Sequence, residues 1–300
     1  MSEWKTDRVR TCPRCGDIDI CYSISGSLQN PTILLVMGLN GQGVMWDREF
    51  IDLLVRRGFA VVAFDNRDVG LSSKMDHVPS MSILRTLLPR GLWGPIAYSL
   101  DDMAEDAAAL LDVIGVQNAH WIGVSMGAMI CQIAAIRWPH RVRSLTSIMS
   151  STGNPDVPRA GLAVTRHFLK APKSQSTEDV VAFRLWFNET VTFNGVPLER
   201  SFCERKIRLS WERSRYYTGA ARQIVAISAA SSRDSKLSQL SIPTLVVHGK
   251  QDVLVPPING YHTASVIPGA RLVMFDNMSH GITPSLWEPL ADEITMHCRQ

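Results

Sequence analysis

The chain has 300 residues, a formal net charge of +3 and 45% hydrophobic residues, a composition typical of a globular protein. So small a charge, with no dense run of lysine and arginine, argues against a nucleic-acid-binding protein. The N-terminus is polar, and no apolar run reaches the roughly 18 residues that a membrane-spanning helix needs. We therefore expect a cytoplasmic protein with neither a secretory signal nor a membrane partner.

Six cysteines in a chain of this size do not indicate a disulfide framework. Cys12 and Cys15 form a Cys-x-x-Cys motif, but a structural zinc site needs four ligands and no second ligand pair lies nearby. We interpret residues 13–17 as a hairpin turn between two short strands. The sequence predicts no metal and no organic cofactor.

Short apolar runs alternate with segments of helical periodicity along most of the chain. Unbroken apolar runs are typical of strands that are buried on both faces of a parallel sheet. The predicted strands cover residues 32–37, 59–64, 119–124, 142–149, 244–248 and 271–275. The predicted helices cover residues 46–57, 100–114, 126–138 and 283–298. This alternation predicts an α/β fold with a mainly parallel central sheet flanked by helices.

The alternation stops between residues 151 and 239, where helical patterns follow one another without strands, at residues 161–169, 177–187 and 202–230. We predict a core domain formed by residues 1–150 and 240–300, and a helical cap insertion formed by residues 151–239. The apolar segment 79–98 is either a lip over a pocket or a surface helix tucked into the core. The basic and aromatic stretch 205–217 is either a clamp for an anionic substrate group or a solvated helix face.

Residues 123–127 read Gly-Val-Ser-Met-Gly, between a predicted strand and a predicted helix. That context is typical of a nucleophile elbow, a tight turn that presents a serine hydroxyl at the end of a sheet. Ser125 would need a base and an orienting carboxylate, which follow the serine in the order acid, then histidine, on this architecture. Asp252 and His280 each follow a late predicted strand, so we predict them as acid and base. Asp276 competes as the acid, but it lies too close in sequence to His280 to come from a separate strand end.

Attack on a carbonyl group creates a negatively charged oxygen, which needs preorganised N–H donors. The N–H of Met126 is one candidate, because this residue follows the serine. The second donor is expected in the glycine-rich loop after the first long strand. We select the N–H of Leu39 and group Gly38 and Asn40 with it as oxyanion- and substrate-binding residues. The loop matches no phosphate-binding pattern, so we do not expect a nucleotide.

Taken together, these motifs resemble the α/β-hydrolase superfamily over about residues 16–298. The resemblance rests on Met-Gly-Leu-Asn-Gly at residues 37–41, Asp-Asn-Arg-Asp-Val-Gly-Leu-Ser at residues 65–72, the serine pentapeptide, and the His-Gly-Lys-Gln-Asp and Met-Ser-His-Gly sequences. Within the superfamily, the chain is similar to the branch of ester hydrolases that includes aclacinomycin methylesterase. Met37 stands where many relatives have histidine, so the side-chain support of the oxyanion loop must differ.

The resemblance implies a serine hydrolase that cleaves a carboxylic ester of a small to medium apolar substrate, methyl esters included, through an acyl-enzyme. A thioesterase, a peptidase or a hydrolase of carbon–carbon bonds of the same fold is the alternative, followed by a non-catalytic ligand-binding member. Serine at the nucleophile position disfavours epoxide opening and halide displacement, for which relatives use aspartate. The expected partner is a small-molecule ester, and the sequence does not distinguish a monomer from a homo-oligomer.

Overall fold

The computed structural model describes residues 3–9, 16–193 and 195–300, so the Cys-x-x-Cys motif with Cys12 and Cys15 lies outside the described residues. An eight-stranded sheet forms the centre of the described part of the chain. Its strands are β1 (Trp4–Val9), β2 (Ile18–Ser25), β3 (Thr32–Val36), β4 (Ala60–Phe64), β5 (Ala119–Val124), β6 (Val142–Ile148), β7 (Thr244–Gly249) and β8 (Arg271–Phe275). All six predicted strands are present among them.

The strands lie in the order β1-β2-β4-β3-β5-β6-β7-β8. The pairs β1–β2 and β2–β4 are antiparallel, whereas the other five neighbouring pairs are parallel. The predicted mainly parallel sheet is therefore confirmed. Because the carboxyl ends of parallel strands meet at one edge of a sheet, the loops after β3, β5, β7 and β8 meet there.

Helices connect the strands and cover both faces of the sheet. They are α1 (Arg48–Arg56), α2 (Leu100–Val113), α3 (Met126–Arg137), α4 (Leu162–Thr165), α5 (Thr177–Phe187), α6 (Arg200–Arg213), α7 (Gly219–Ala229), α8 (Asp234–Leu237), α9 (Ile258–Val266) and α10 (Trp287–Cys298). Ser99 caps α2 in a capping box with Asp102, which satisfies N–H groups that have no partner within the helix.

The core forms two apolar layers, one on each face of the sheet. Leu34 and Trp121 face the layer that includes α2 and α3, whereas the next residue of each strand, Leu35 and Ile122, faces the layer that includes α1 and α10. Successive side chains of a strand point to opposite faces, so a strand that is apolar throughout must be covered on both sides. These buried layers fix the strand ends that carry the site.

The segment between β6 and β7 carries α4 to α8. This segment contains a small buried apolar cluster that is separate from the two layers at the sheet, formed by Val181, Leu185, Phe193, Cys203 and Ile207. The continuous helical pattern predicted for residues 202–230 is instead two helices, α6 and α7, separated by residues 214–218.

The basic stretch 205–217 fits neither of its two interpretations as a whole. Arg208, whose side chain is 38% exposed, pairs with Glu204, as on a solvated helix face. Arg213, in contrast, donates to the fully buried Asp65 carboxylate at 2.6 Å. Tyr216 donates to Asp76 Oδ1 at 2.8 Å. The stretch therefore attaches the helical segment to the sheet.

A membrane-spanning helix is not found among the described residues.

Candidate active site

Ser125 occupies a tight turn between β5 and α3. Its φ is 54° and its ψ is −121°, a backbone conformation that side-chain-bearing residues rarely adopt and that concentrates at functional sites. A Cβ at Gly123 would lie 2.4 Å from the backbone nitrogen of Ala128, and a Cβ at Gly127 would lie 2.1 Å from the carbonyl oxygen of Val36. Both glycines of the pentapeptide are thus required by close approach, as in a nucleophile elbow.

The loops after β7 and β8 bring Asp252 and His280 to Ser125. His280 Nε2 lies 3.0 Å from Ser125 Oγ, and His280 Nδ1 lies 2.8 Å from Asp252 Oδ2. The Asp252 side chain is fully buried, and the His280 side chain is 9% exposed. The three predicted side chains thus form one hydrogen-bonded chain in the geometry of a nucleophile, a base and an orienting carboxylate.

The second oxygen of Asp252 holds the loop that carries it. Asp252 Oδ1 accepts hydrogen bonds from the backbone N–H groups of Leu254 at 2.9 Å and Val255 at 2.8 Å. His248 Nε2 donates to the carbonyl oxygen of Val255 at 2.8 Å, and burial lowers the pKa of this histidine. Asp276, the competing acid, is exposed and pairs with Lys250 at 2.6 Å, away from His280.

The candidate oxyanion donors belong to the residue after Ser125 and to the loop after β3. A Cβ at Gly38 would lie 3.2 Å from Ser125 Cβ, so the glycine lets this loop approach the serine closely. Leu39 and Met126 both line the cavity that contains Ser125 Oγ. Within the part of the chain that the structure describes, no protein acceptor engages the N–H of Leu39. Met126 is the first residue of α3, where an N–H has no acceptor within the helix.

Asn40 departs from its predicted grouping. Its backbone N–H donates to Gln223 Oε1 at 2.8 Å, and the residue is not part of the cavity lining. Its φ of 56° places it in the left-handed region, which turns the chain away after Leu39. We therefore remove Asn40 from the candidate donors and retain Gly38, Leu39 and Met126.

Two side chains outside the predicted set hold the oxyanion loop. Asn66 Nδ2 donates to the carbonyl oxygen of Met37 at 2.9 Å, from the loop after β4. Gln223 of α7 contacts Asn40 from the helical segment. Asn66 stands within a motif noted in the sequence, but Gln223 is 183 residues from Asn40 and belongs to no motif. Only the folded chain reveals it.

A cavity of about 1060 Å³ opens above Ser125 and His280. Residues of the sheet edge and of the helical segment line it, and most of them are apolar. The large apolar side chains include Met37, Trp46, Met149, Phe187, Phe193 and Trp287. The cavity is at the upper end of the size range of small-molecule sites, which are typically apolar with few polar groups.

Among the described residues, three charged side chains line the cavity, and two of them form a pair. Lys206 Nζ lies 3.3 Å from Asp47 Oδ2 and donates to the carbonyl oxygen of Val44 at 2.6 Å. Burial lowers the pKa of Lys206, and the neighbouring Asp47 carboxylate opposes that shift. Arg166 is exposed. Across the described ranges, no group of three or more histidine, cysteine, aspartate or glutamate side chains is placed to hold a metal ion.

The segment 79–98 forms a lip at this cavity, which decides between its two interpretations. It contains two short 3₁₀ helices, Ile83–Leu87 and Arg90–Leu92. Leu84 and Leu87 line the cavity although they are 59% and 79% exposed, so they lie at its rim. The sequence showed the apolar character of this segment but not that several of its leucines face solvent.

Comparisons with known proteins agree with this architecture. The chain is 28% identical over 295 residues to rhodomycin D methylesterase DnrP of Streptomyces peucetius. The aligned region covers 91% of this chain and 93% of that protein. It is 25% identical to the bifunctional esterase/perhydrolase DCH of Acinetobacter calcoaceticus, over 94% of this chain and 96% of the relative. These relatives confirm the predicted resemblance to ester hydrolases and methylesterases.

A solved structure and a family model place the fold. The esterase RhEst1 from Rhodococcus sp. ECU1013 superposes with a TM-score of 0.74 at 20% identity, covering 100% of this chain and 99% of the other. The family model described as alpha/beta hydrolase fold matches residues 31–283, which include the elbow, both late strand ends and the helical segment. This protein therefore belongs to the α/β hydrolase fold family.

Proposed function

We propose that this protein hydrolyses carboxylic esters, methyl esters among them, with Ser125 as nucleophile, His280 as base and Asp252 as the orienting acid. The observation that carries the proposal is the hydrogen-bonded chain from Ser125 Oγ through His280 to a fully buried Asp252 carboxylate, at the floor of a large apolar cavity. The similarity to a methylesterase and to an esterase/perhydrolase supports the choice of an ester bond.

In the proposed reaction, His280 Nε2 takes the proton of Ser125 Oγ as that oxygen attacks the ester carbonyl carbon. The carbonyl oxygen becomes an oxyanion and accepts hydrogen bonds from the N–H groups of Leu39 and Met126. The intermediate then collapses, the alcohol leaves with the proton from His280, and an acyl-enzyme remains. Water, deprotonated by His280, attacks the acyl group and releases the acid, and the proton returns to Ser125. Asp252 holds His280 in the tautomer that this cycle needs.

The helical segment 151–239 serves, in this proposal, as a cap over the site. Phe187 and Phe193 of this segment face the same cavity as Ser125 of the sheet edge. The volume exceeds what a short ester needs, so we propose a substrate with a sizeable apolar body attached to the ester. The Asp47–Lys206 pair gives the wall one polar position at which a hydroxyl or carbonyl group of that body can bind.

The first experiment removes the nucleophile. Loss of the catalytic serine costs about 10⁶-fold in kcat in a well-studied serine protease, and we expect Ser125→Ala to lose at least several hundredfold with p-nitrophenyl butyrate. Ser144→Ala is the matched control, because Ser144 Oγ lies 2.8 Å from His120 Nδ1 in a second buried serine–histidine pair. It should retain wild-type turnover. Wild-type hydrolysis by folded Ser125→Ala would refute the proposal.

The second experiment separates ester hydrolysis from the related reactions. A butyryl group is offered as its p-nitrophenyl ester, as a thioester and as p-nitrobutyranilide, so that only the bond to be cleaved changes. We expect the highest kcat/KM for the ester. A higher value for the thioester or the anilide would favour a thioesterase or a peptidase, and no turnover of any of the three would favour a ligand-binding protein.

A further inference from the structure

Helix α7 of the helical segment contacts the loop that follows β3, and Gln223 makes that contact. Its side chain is fully buried. Its Oε1 accepts the backbone N–H of Asn40 at 2.8 Å, and its Nε2 donates to the carbonyl oxygen of Arg67 at 3.0 Å. One amide therefore joins the loops after β3 and β4, and each of its two polar atoms is engaged with a backbone group.

The backbone that Gln223 holds is an unfavourable one. Asn40 has a φ of 56°, in the left-handed region that residues other than glycine adopt at a cost. The N–H of Gly41 donates to the carbonyl oxygen of Gly38 at 3.1 Å, which closes a tight turn over residues 38–41. Leu39, whose N–H is the candidate oxyanion donor, lies inside this turn. Because Leu39 and Asn40 are the two central residues of this turn, the conformation of Asn40 constrains how Leu39 is placed within it.

The start of α7 is firmly seated on the loop after β4. A Cβ at Gly219 would lie 2.2 Å from the carbonyl oxygen of Asp68, so helix and loop are in direct backbone contact. Arg222 donates from Nε and Nη2 to the Asp68 carboxylate at 2.8 and 2.9 Å. Burial alone would raise the pKa of Asp68, but the hydrogen bonds from Arg222 and Tyr98 outweigh burial, and the net pKa is lowered. Gln223 therefore projects from a fixed helix end.

We propose that Gln223 is a positioning residue for the oxyanion site. It holds Asn40 in the left-handed conformation and so directs the N–H of Leu39 at the developing oxyanion. The consequence is that the helical segment does more than cover the cavity, since it completes the catalytic geometry of the core. The inference rests on the proposed function, because it assigns a role within the same site.

The test removes the amide in one variant and shortens the side chain that carries it in another. Gln223→Met removes both hydrogen bonds, and Gln223→Asn leaves an amide that is one methylene too short to reach Asn40. Because misdirected groups and lost oxyanion donors cost about 10²-fold or more in rate, and Asn66 still holds the loop at Met37, we expect kcat for p-nitrophenyl butyrate to fall by about 10- to 100-fold. KM should change by less than about 3-fold.

Two further readouts distinguish positioning from a merely structural role. Butylboronic acid forms a tetrahedral adduct with the serine, so its affinity should fall in parallel with kcat, whereas the affinity for the product butyrate should not.

Gln132→Met is the matched control. Gln132 is another fully buried glutamine, with Nε2 bonded to Ser147 Oγ and Oε1 accepting from Arg233 Nε. This control should lower the melting temperature without changing kcat. Wild-type kcat in either folded variant, Gln223→Met or Gln223→Asn, would overturn the inference. If Ser125→Ala in the same panel is inactive, that result leaves the proposed function intact, whereas an active Ser125→Ala overturns the proposed function itself.

Discussion

Asp252 has two carboxylate oxygens, and each has a different task in the structure. Oδ1 accepts from two successive backbone N–H groups and fixes the loop, while Oδ2 faces His280 Nδ1. His248 closes the same loop through the carbonyl oxygen of Val255. The carboxylate is thus held by backbone groups on one side, and its other oxygen orients the His280 ring, with His248 Nε2 3.5 Å away.

This division of tasks makes Asp252→Asn informative. The amide can still accept from the loop, but its NH₂ group would face His280 Nδ1 and stabilise the wrong tautomer, in which Nε2 carries the proton. An equivalent change costs about 10⁴-fold in kcat in a well-studied serine protease. We expect a loss of at least about 100-fold with little change in melting temperature, measured with p-nitrophenyl butyrate.

Asp276→Asn is the control for that change, because Asp276 is the competing candidate for the acid and lies close to His280 in sequence. Its side chain is 83% exposed and pairs with Lys250 at the surface. It should keep kcat within about 2-fold of wild type. If Asp276→Asn were the damaging variant and Asp252→Asn the harmless one, the acid would be wrongly assigned.

At the scale of elements, the sequence predicted what depends on local pattern. Unbroken apolar runs identified six strands, and the order serine, acid, histidine after successive strands identified three side chains that the fold brings together. The break between α6 and α7 was missed because residues 214–218 contain neither glycine nor proline. Contacts with distant parts of the chain produce that break, through Arg213 on Asp65 and Tyr216 on Asp76.

The same limit explains which parts of the site could not be predicted. Gln223 acts on a loop 183 residues away, and no local pattern records such a contact. Asn40 was grouped with the oxyanion- and substrate-binding residues of the loop after β3. Its left-handed backbone and its bond to Gln223 give it a structural task instead.

The lip at residues 79–98 leads to a prediction about acyl chain length. Leu87 is 79% exposed at the rim of the cavity, so a long acyl group can cover it and remove apolar area from water. At about 25 cal/mol per Å², losing that contact costs about 1 kcal/mol. We expect Leu87→Ser to lower kcat/KM about 5-fold for p-nitrophenyl octanoate and to leave p-nitrophenyl acetate unaffected.

Leu92→Ser provides the comparison for this prediction. Leu92 belongs to the same lip and is 60% exposed, but it is not part of the cavity lining. Its replacement should leave both substrates unchanged. Equal losses for Leu87→Ser and Leu92→Ser would indicate that the lip acts through its overall conformation and not through contact with the acyl chain.

At the scale of the whole molecule, paired charges join the helical segment to the sheet. Arg213 pairs with Asp65, Arg222 with Asp68, and Lys206 with Asp47. In each pair the cation comes from residues 151–239 and the carboxylate from the loops at the sheet edge. Charged groups this deeply buried are costly unless they are paired. The pairs therefore specify how the segment sits over the candidate site.

Buried neutral histidines should make the fold sensitive to mild acid. His120 in β5, His248 in β7 and His297 in α10 are all buried, and burial lowers the pKa of each, for His120 to about 4. An unfolded histidine has a pKa of about 6.5. Below that pH the unfolded chain binds protons that the folded chain does not, so the free energy of unfolding falls as the pH falls.

We therefore expect the free energy of unfolding to be at its plateau above about pH 6.5 and to fall between about pH 6.5 and 5, each such histidine contributing up to about 1.4 kcal/mol per pH unit. Urea unfolding at pH 7.5, 6 and 5 measures this slope. His120→Gln cannot be protonated and keeps a polar group for Ser144, its neighbour at 2.8 Å. This variant should remove one histidine's share of the pH dependence of the free energy of unfolding. It should change the free energy of unfolding less at pH 7.5 than at pH 5. A wild-type protein equally stable at pH 7.5 and 5, or a His120→Gln variant with an unchanged slope, would mean that buried histidines do not govern the acid response.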